Sequence, residues 1–133
     1  MRADTQAISI DAAPLKVIDF LANGANLPRW AVGFAKSAAP EGDGWLVTTG
    51  AGPTRVRIES DARAGVVDFR LEIAPGLEGL AATRVVPRGT GSEVVFTQFQ
   101  PSGMPDEVFA KNVGAVSHEL RVLKAVLEVE CPL

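Results

Sequence analysis

The sequence predicts an α+β fold in which a curved antiparallel sheet wraps around a long C-terminal helix, with two short helices after the first strand. Three observations predict it. A strand-like opening, Ile8-Ser9-Ile10, runs straight into a helix start at Ala13-Pro14. The middle of the chain alternates apolar and polar residues in short segments separated by turn residues, the mark of an antiparallel sheet with one wet face. The end, from about Pro105 to Glu128, carries apolar residues at helical spacing.

The elements follow in order. Residues from about Thr5 to Asp11 alternate and read as a strand with one buried face. Asp11 is expected to cap the next helix and Pro14 to sit in its first turn. Val17, Ile18, Phe20 and Leu21 supply its apolar side, and Asn23-Gly24 ends it. A second short helix or turn covers about Asn26 to Val32. Strand candidates then run over Gly33 to Ala39, Gly44 to Thr49, Thr54 to Ser60, Val66 to Ala74, Leu80 to Pro87 and Ser92 to Gln100. Asp43-Gly44 is a hairpin signal. The cleanest alternation is at Val67, Phe69, Leu71 and Ile73 against Asp68, Arg70 and Glu72. Gly50-Ala51-Gly52 and Gly89-Thr90-Gly91 read as hairpin turns, because neither leads from a strand directly into a helix as a phosphate cradle does.

In the closing helix Pro105, Asp106 and Glu107 suit a helix start through backbone geometry and the helix dipole. Phe109, Val113, Val116, Leu120, Leu123 and Leu127 make one apolar stripe. Val108, Ala115, Val122, Val126 and Val129 make a second beside it. So wide an arc predicts that the helix touches two things: sheet and short helices, or sheet and a second subunit. Valines and Gly114 are poor helix formers, so tertiary packing has to hold this helix.

With 133 residues, 47% of them hydrophobic and 22% charged, the chain reads as one globular domain. The formal charge is −3 and Lys and Arg never cluster, which disfavours nucleic acid, whose phosphates require a basic face. No apolar run approaches the length of a membrane span, and no secretory leader pattern opens the chain. The single cysteine, Cys131, excludes an intrachain disulfide and fits a reducing compartment, so a cytoplasmic protein is expected. One histidine and one cysteine argue against a metal site built from these ligands, and no cofactor is expected.

Polar residues within apolar faces are the candidate site. Asn112 and Glu119, one heptad apart, fall near the middle of the wide helical arc at about 100° per residue. Either they face a cavity and orient a ligand, or Glu119 pairs with a strand arginine or sits at a helix–helix border. Gln98 shares a strand face with Val94 and Phe96, as a ligand contact or as a satisfied core amide. Thr83 is expected to point inward and Arg84 outward. Trp30 closes a cavity end or is core, and Trp45 reads as a sheet-edge packing residue. His118 falls opposite the main stripe and is expected to face solvent, away from any Ser-His-Asp or Cys-His arrangement.

Three segments resemble the START-like superfamily, also called SRPBCC or polyketide cyclase/dehydrase and lipid-transport proteins, related in fold to the birch-pollen allergen group. Ile8 to Val17 resembles its opening strand, Ala-Pro step and first helix. Asn26-Leu27-Pro28-Arg29-Trp30 resembles its second helix, and Glu119-Leu120-Arg121-Val122-Leu123-Lys124 the end of its long helix. The likeness spans nearly the whole chain and rests on the order of these segments. It implies a single START-like domain over residues 1–133 with the helix-grip fold, and a cavity between sheet and long helix for lipids, polyketides or other apolar molecules. It implies no shared catalytic set.

Three functions stay open at this point. The first is a binding module for a small apolar ligand, with Val56, Ile58, Phe69, Leu71, Phe96 and Val113 as walls, Trp30 at one end, and Gln98, Asn112 and Glu119 as polar contacts. The second is a cyclase- or aromatase-like enzyme with Glu119 as acid or base. The third is an interaction protein that docks or homodimerises through the Val108, Val122 and Val129 stripe.

Overall fold

We describe the protein from a computed structural model, which covers residues 1–72 and 75–133 with their side chains. The inward placement expected for Ile73 lies outside these described residues. The chain runs through β1 (Ala3–Ile10), α1 (Pro14–Ala22), a 3-10 turn (Gly24–Asn26), α2 (Leu27–Trp30), β2 (Ser37–Glu41), β3 (Gly44–Thr49), β4 (Gly52–Asp61), β5 (Val66–Ala74), β6 (Leu77–Arg88), β7 (Gly91–Phe99) and α3 (Asp106–Glu130). The described residues form seven strands in one sheet, in the order β1-β7-β6-β5-β4-β3-β2. Every pairing is antiparallel. This is the α+β helix-grip arrangement, with the long helix held on one face of the curved sheet.

Period-two alternation sets which residues meet across the strands. One inward row runs Ser60, Val67, Thr83, Phe96, and the next runs Ile58, Phe69, Ala81, Gln98. On the outer face Arg84 bonds Asp68 at 2.6 Å, and Arg70 pairs with Glu59. The inward placement of Thr83 and the outward placement of Arg84 are as expected: Thr83 is fully buried and Arg84 exposed.

Helix α3 buries Phe109, Val116, Glu119, Leu120, Leu123 and Leu127. Each buried aliphatic or aromatic side chain contributes roughly 1.5–3 kcal/mol before chain entropy. The helix also covers the free edge of β1, where Lys124 Nζ donates to Ser9 O at 3.0 Å and Gln6 Nε2 donates to Val113 O at 2.9 Å. It packs on β1 and on α2, so its wide apolar arc meets both sheet and short helix. His118 is exposed.

Three local expectations are corrected. Asp11 does not cap α1: the N-cap is Ala13, with no side-chain bond. The Asp11 carboxylate instead meets Arg88 Nη2 at 3.3 Å, and its backbone N–H donates to Glu128 Oε2 at 2.8 Å. The strand expected from Gly33 starts only at Ser37, because the Phe34 and Ala35 amides turn back to the Ala31 carbonyl and the Glu119 carboxyl accepts from Gly33 and Phe34. The first hairpin turns on Gly42 (φ 58°) and Asp43, since Glu41 pairs with Gly44. Trp45 lies against the 3-10 turn: a Cβ added to Gly24 would stand 2.4 Å from its ring.

Gly65, before β5, has φ 69°, and a Cβ there would fall 2.3 Å from the Val85 carbonyl oxygen. Both the left-handed backbone and the contact exclude a side chain. Gly65→Ala is expected to cost about 2 kcal/mol or more, read as a lowered midpoint in urea denaturation.

Candidate functional site: a cavity between sheet and helix

The inner face of the sheet and α3 do not close fully on one another. Between them lies a cavity of about 270 Å³. Small residues stand where bulk would fill it: Gly79 and Ala81 on β6, Ala115 on α3, and Ala31 and Gly33 after α2 all line it. Gly79 pairs with Leu71 and Ala81 with Phe69, so at these two positions β6 sets almost no side-chain volume opposite the large side chains of β5.

The walls are apolar and aromatic. Of the eight aromatic residues in the chain, Trp30, Phe34, Phe69, Phe96, Phe99 and Phe109 line the cavity, a composition suited to a flat apolar guest. The Trp30 ring sits 6.1 Å from Phe69 and 6.5 Å from Phe96, tilted and edge-on respectively.

From α3 the lining takes Phe109, Asn112, Ala115, Val116 and Glu119. These recur at helical spacing and so share one face. Glu119 is 5% exposed. Its Oε2 accepts hydrogen bonds from Gly33 N at 3.0 Å and Phe34 N at 3.1 Å. Among the described residues Oε1 takes no hydrogen bond. Burial pushes the carboxyl up to about 7 from an ordinary 4.5, and the two amide bonds oppose that rise. The carboxyl is therefore held in one orientation and poised near neutrality, able to accept or give a proton.

Three further buried polar atoms have no partner among the described residues: Trp30 Nε1, Thr83 Oγ1 and Gln98 Nε2. Trp30 and Gln98 line the cavity. A buried hydroxyl without a partner destabilises the fold, so the near-isosteric Thr83→Val is expected to gain about 1 kcal/mol, seen as a higher thermal midpoint.

Of the residues read from the sequence, Trp30, Val56, Phe69, Leu71, Phe96, Gln98, Asn112 and Glu119 line this one cavity. Asn112 is exposed and stands at its rim, with Nδ2 3.9 Å from Met104 Sδ. Ile58 and Val113 do not line it. Ile58 is partly buried and packs against the core. Val113 lies about 120° around the helix from Glu119, and its carbonyl receives the Gln6 amide of β1. Sequence reasoning did not find the Gly33 and Phe34 amides, nor the part of the lining made by Phe99, Pro101 and Met104. The small residues Gly79 and Ala81 of β6 were the available signal.

Among the described residues no group of three His, Cys, Asp or Glu is placed to hold a metal ion, and no helix is long and apolar enough to cross a membrane.

A family model described as polyketide cyclase / dehydrase and lipid transport matches residues 1–128. Among curated proteins none matches the chain in sequence. Similar solved structures include the protein XoxI from Bacillus cereus, with 20% identity, a TM-score of 0.76, and coverage of 98% of this chain and 99% of that one. The Aha1 dimer from Colwellia psychrerythraea has 17% identity, a TM-score of 0.76 and coverage of 97% and 98%. The di-domain ARO/CYC BexL from the BE-7585A biosynthetic pathway has 22% identity and a TM-score of 0.74; the match covers 98% of this chain and 48% of BexL, about half its length. At these identities the likeness shows a shared fold.

Proposed function

The chain belongs to the polyketide cyclase / dehydrase and lipid transport family, and from that premise we propose that it binds a small apolar ligand in the cavity between sheet and α3. The observation that carries this reading is the cavity itself, about 270 Å³, apolar-walled and kept open by small residues on three elements. A dry apolar cavity of about 150 Å³ holds benzene, so this one suits two fused rings or a short branched chain rather than a long lipid. Val56, Phe69, Leu71, Phe96 and Trp30 supply the apolar contact, while Gln98, Asn112 and Glu119 orient the guest, the usual division of labour in such sites.

Native mass spectrometry of freshly purified protein, followed by organic extraction, tests this. A stoichiometric apolar molecule in the extract is expected, and the same spectrum reports monomer or homodimer. For a purified empty protein, N-phenyl-1-naphthylamine serves as probe. Ala81→Leu fills the cavity from β6 and is expected to weaken that dye about tenfold, the effect of a methylene or two in a closed apolar site. Equal affinity in Ala81→Leu would place the dye elsewhere.

A second reading rests on Glu119: a cyclase-like proton transfer at carbon. A carboxyl near pH 7, fixed by two amides beside an apolar chamber, has the properties of a general base for a C–H next to a ketone. Deuterium exchange into 2-tetralone is the assay. Acceleration with an inflection near pH 7, lost in Glu119→Gln, is the expected result, and exchange equal to buffer alone would end this reading. The interaction stripe has less support. Val122 and Val126 pack against the core, leaving Val108 (41% exposed) and Val129 (81%), roughly 30 Å apart along the helix.

A further inference from the structure

The cavity holds an imbalance that apolar binding alone does not explain. Among the described residues its lining contains one charged side chain, Glu119, and no lysine, arginine, histidine or second carboxylate. His118, next to it in sequence, faces solvent. The carboxyl is buried, one oxygen is engaged by the Gly33 and Phe34 amides, and the other takes no hydrogen bond among the described residues. A buried carboxylate without a counter-charge is costly, and proteins almost always pair it. Here the lining supplies no cation, while six aromatic residues line the same cavity. Aromatic faces attract cations, most strongly where water is excluded. Gln98 and Asn112 add amides at the wall and rim.

We propose that the ligand is an organic amine, bound as its ammonium, with its apolar ring body among Trp30, Phe69 and Phe96 and its N–H groups directed to the free oxygen of Glu119. This rests on the apolar-binding reading above and narrows its ligand class. The ammonium provides the counter-charge that the fold omits, and the two backbone amides keep the receiving carboxyl from turning away. A carboxylic acid of the same shape meets like charge, and an alcohol gains one neutral hydrogen bond. Binding also draws the carboxyl back toward its ionised form, so complex formation releases a proton near neutral pH.

Three isosteric probes test this by calorimetry at pH 7.5: 1-naphthylmethylamine, 1-naphthalenemethanol and 1-naphthoic acid. The amine is expected to bind about tenfold or more tighter than the alcohol, and the acid weakest. Proton release, read from the dependence of the binding heat on buffer ionisation, is expected for the amine and not for the alcohol. Glu119→Gln is expected to remove the preference for amine over alcohol. Alcohol or acid binding as tightly as the amine overturns the proposal while leaving apolar binding intact. A preference that survives in Glu119→Gln overturns it as well. Failure of all three probes to bind the wild-type protein overturns both readings together.

Discussion

Glu119→Gln makes the empty protein more stable at pH 8, by about 3 kcal/mol, and flattens its stability between pH 5 and 8. The carboxyl is held near 7 in the folded chain against 4.5 as the ordinary value. Between those values the folded state carries the proton that the unfolded state has lost. Stability therefore falls as pH rises through this window, and the full penalty is present above about 7. Each tenfold difference in proton affinity between the two states is worth about 1.4 kcal/mol. Glutamine keeps an oxygen for the Gly33 and Phe34 amides and never ionises, so the penalty disappears. Urea denaturation at pH 5 and pH 8 checks this. Wild type is expected to be less stable at pH 8 with the variant nearly level, and the same pH dependence in both proteins would show that the carboxyl is not buried as described. Glu119→Ala is a different experiment, since it strands the Gly33 amide, while the Phe34 N–H keeps its bond to the Ala31 carbonyl, and it costs about 1–3 kcal/mol for the donor left unpaired.

Phe69→Ala costs about 3–5 kcal/mol, a large fraction of the roughly 5–15 kcal/mol that holds a typical domain. Phe69 is buried, packs its ring against Trp30 and stands in the row Ile58, Phe69, Ala81, Gln98. Ala81 beside it is too short to fill the space, so the lost ring adds to the existing cavity. A stability within about 1 kcal/mol of wild type would mean that the site collapses easily and that Phe69 is not a supporting wall. For ligand affinity Phe69→Leu is the cleaner variant, because it retains most of the buried volume.

Much of this was legible in the sequence, and the failures have physical causes. The alternation from Val66 onward places β5 and its inward face because one side of the sheet is dry. The wide apolar arc of α3 is readable because the helix meets sheet, α2 and a cavity at once. Asn112 and Glu119 stand out as polar groups within that arc. What holds Glu119 does not stand out: the donors are backbone amides of Gly33 and Phe34, and every residue but proline has one. The misplaced start of β2 has a related origin, since apolar Phe34 and Ala35 read as strand, yet both their amides turn back to the Ala31 carbonyl while a distant carboxyl accepts from Gly33 and Phe34. Val113 fits a 3–4 spacing with Phe109 and Val116, yet the helix face that lines the cavity runs through Asn112, Ala115, Val116 and Glu119. The void itself arises from residues that lack atoms, Gly79, Ala81 and Ala115, and a small residue in a sequence does not announce whether a neighbour fills its space.

The cavity as a binding site is tested most directly by a methyl NMR titration of the wild-type protein with 1-naphthalenemethanol, a neutral probe independent of the charge on Glu119. Saturable shifts are expected at the methyls of Leu71, Ala81, Ala115 and Val116, which line the cavity, with those of Leu15, Val86 and Val129, which are exposed elsewhere, unmoved. Saturation that moves the exposed set and leaves the cavity methyls in place would contradict the account.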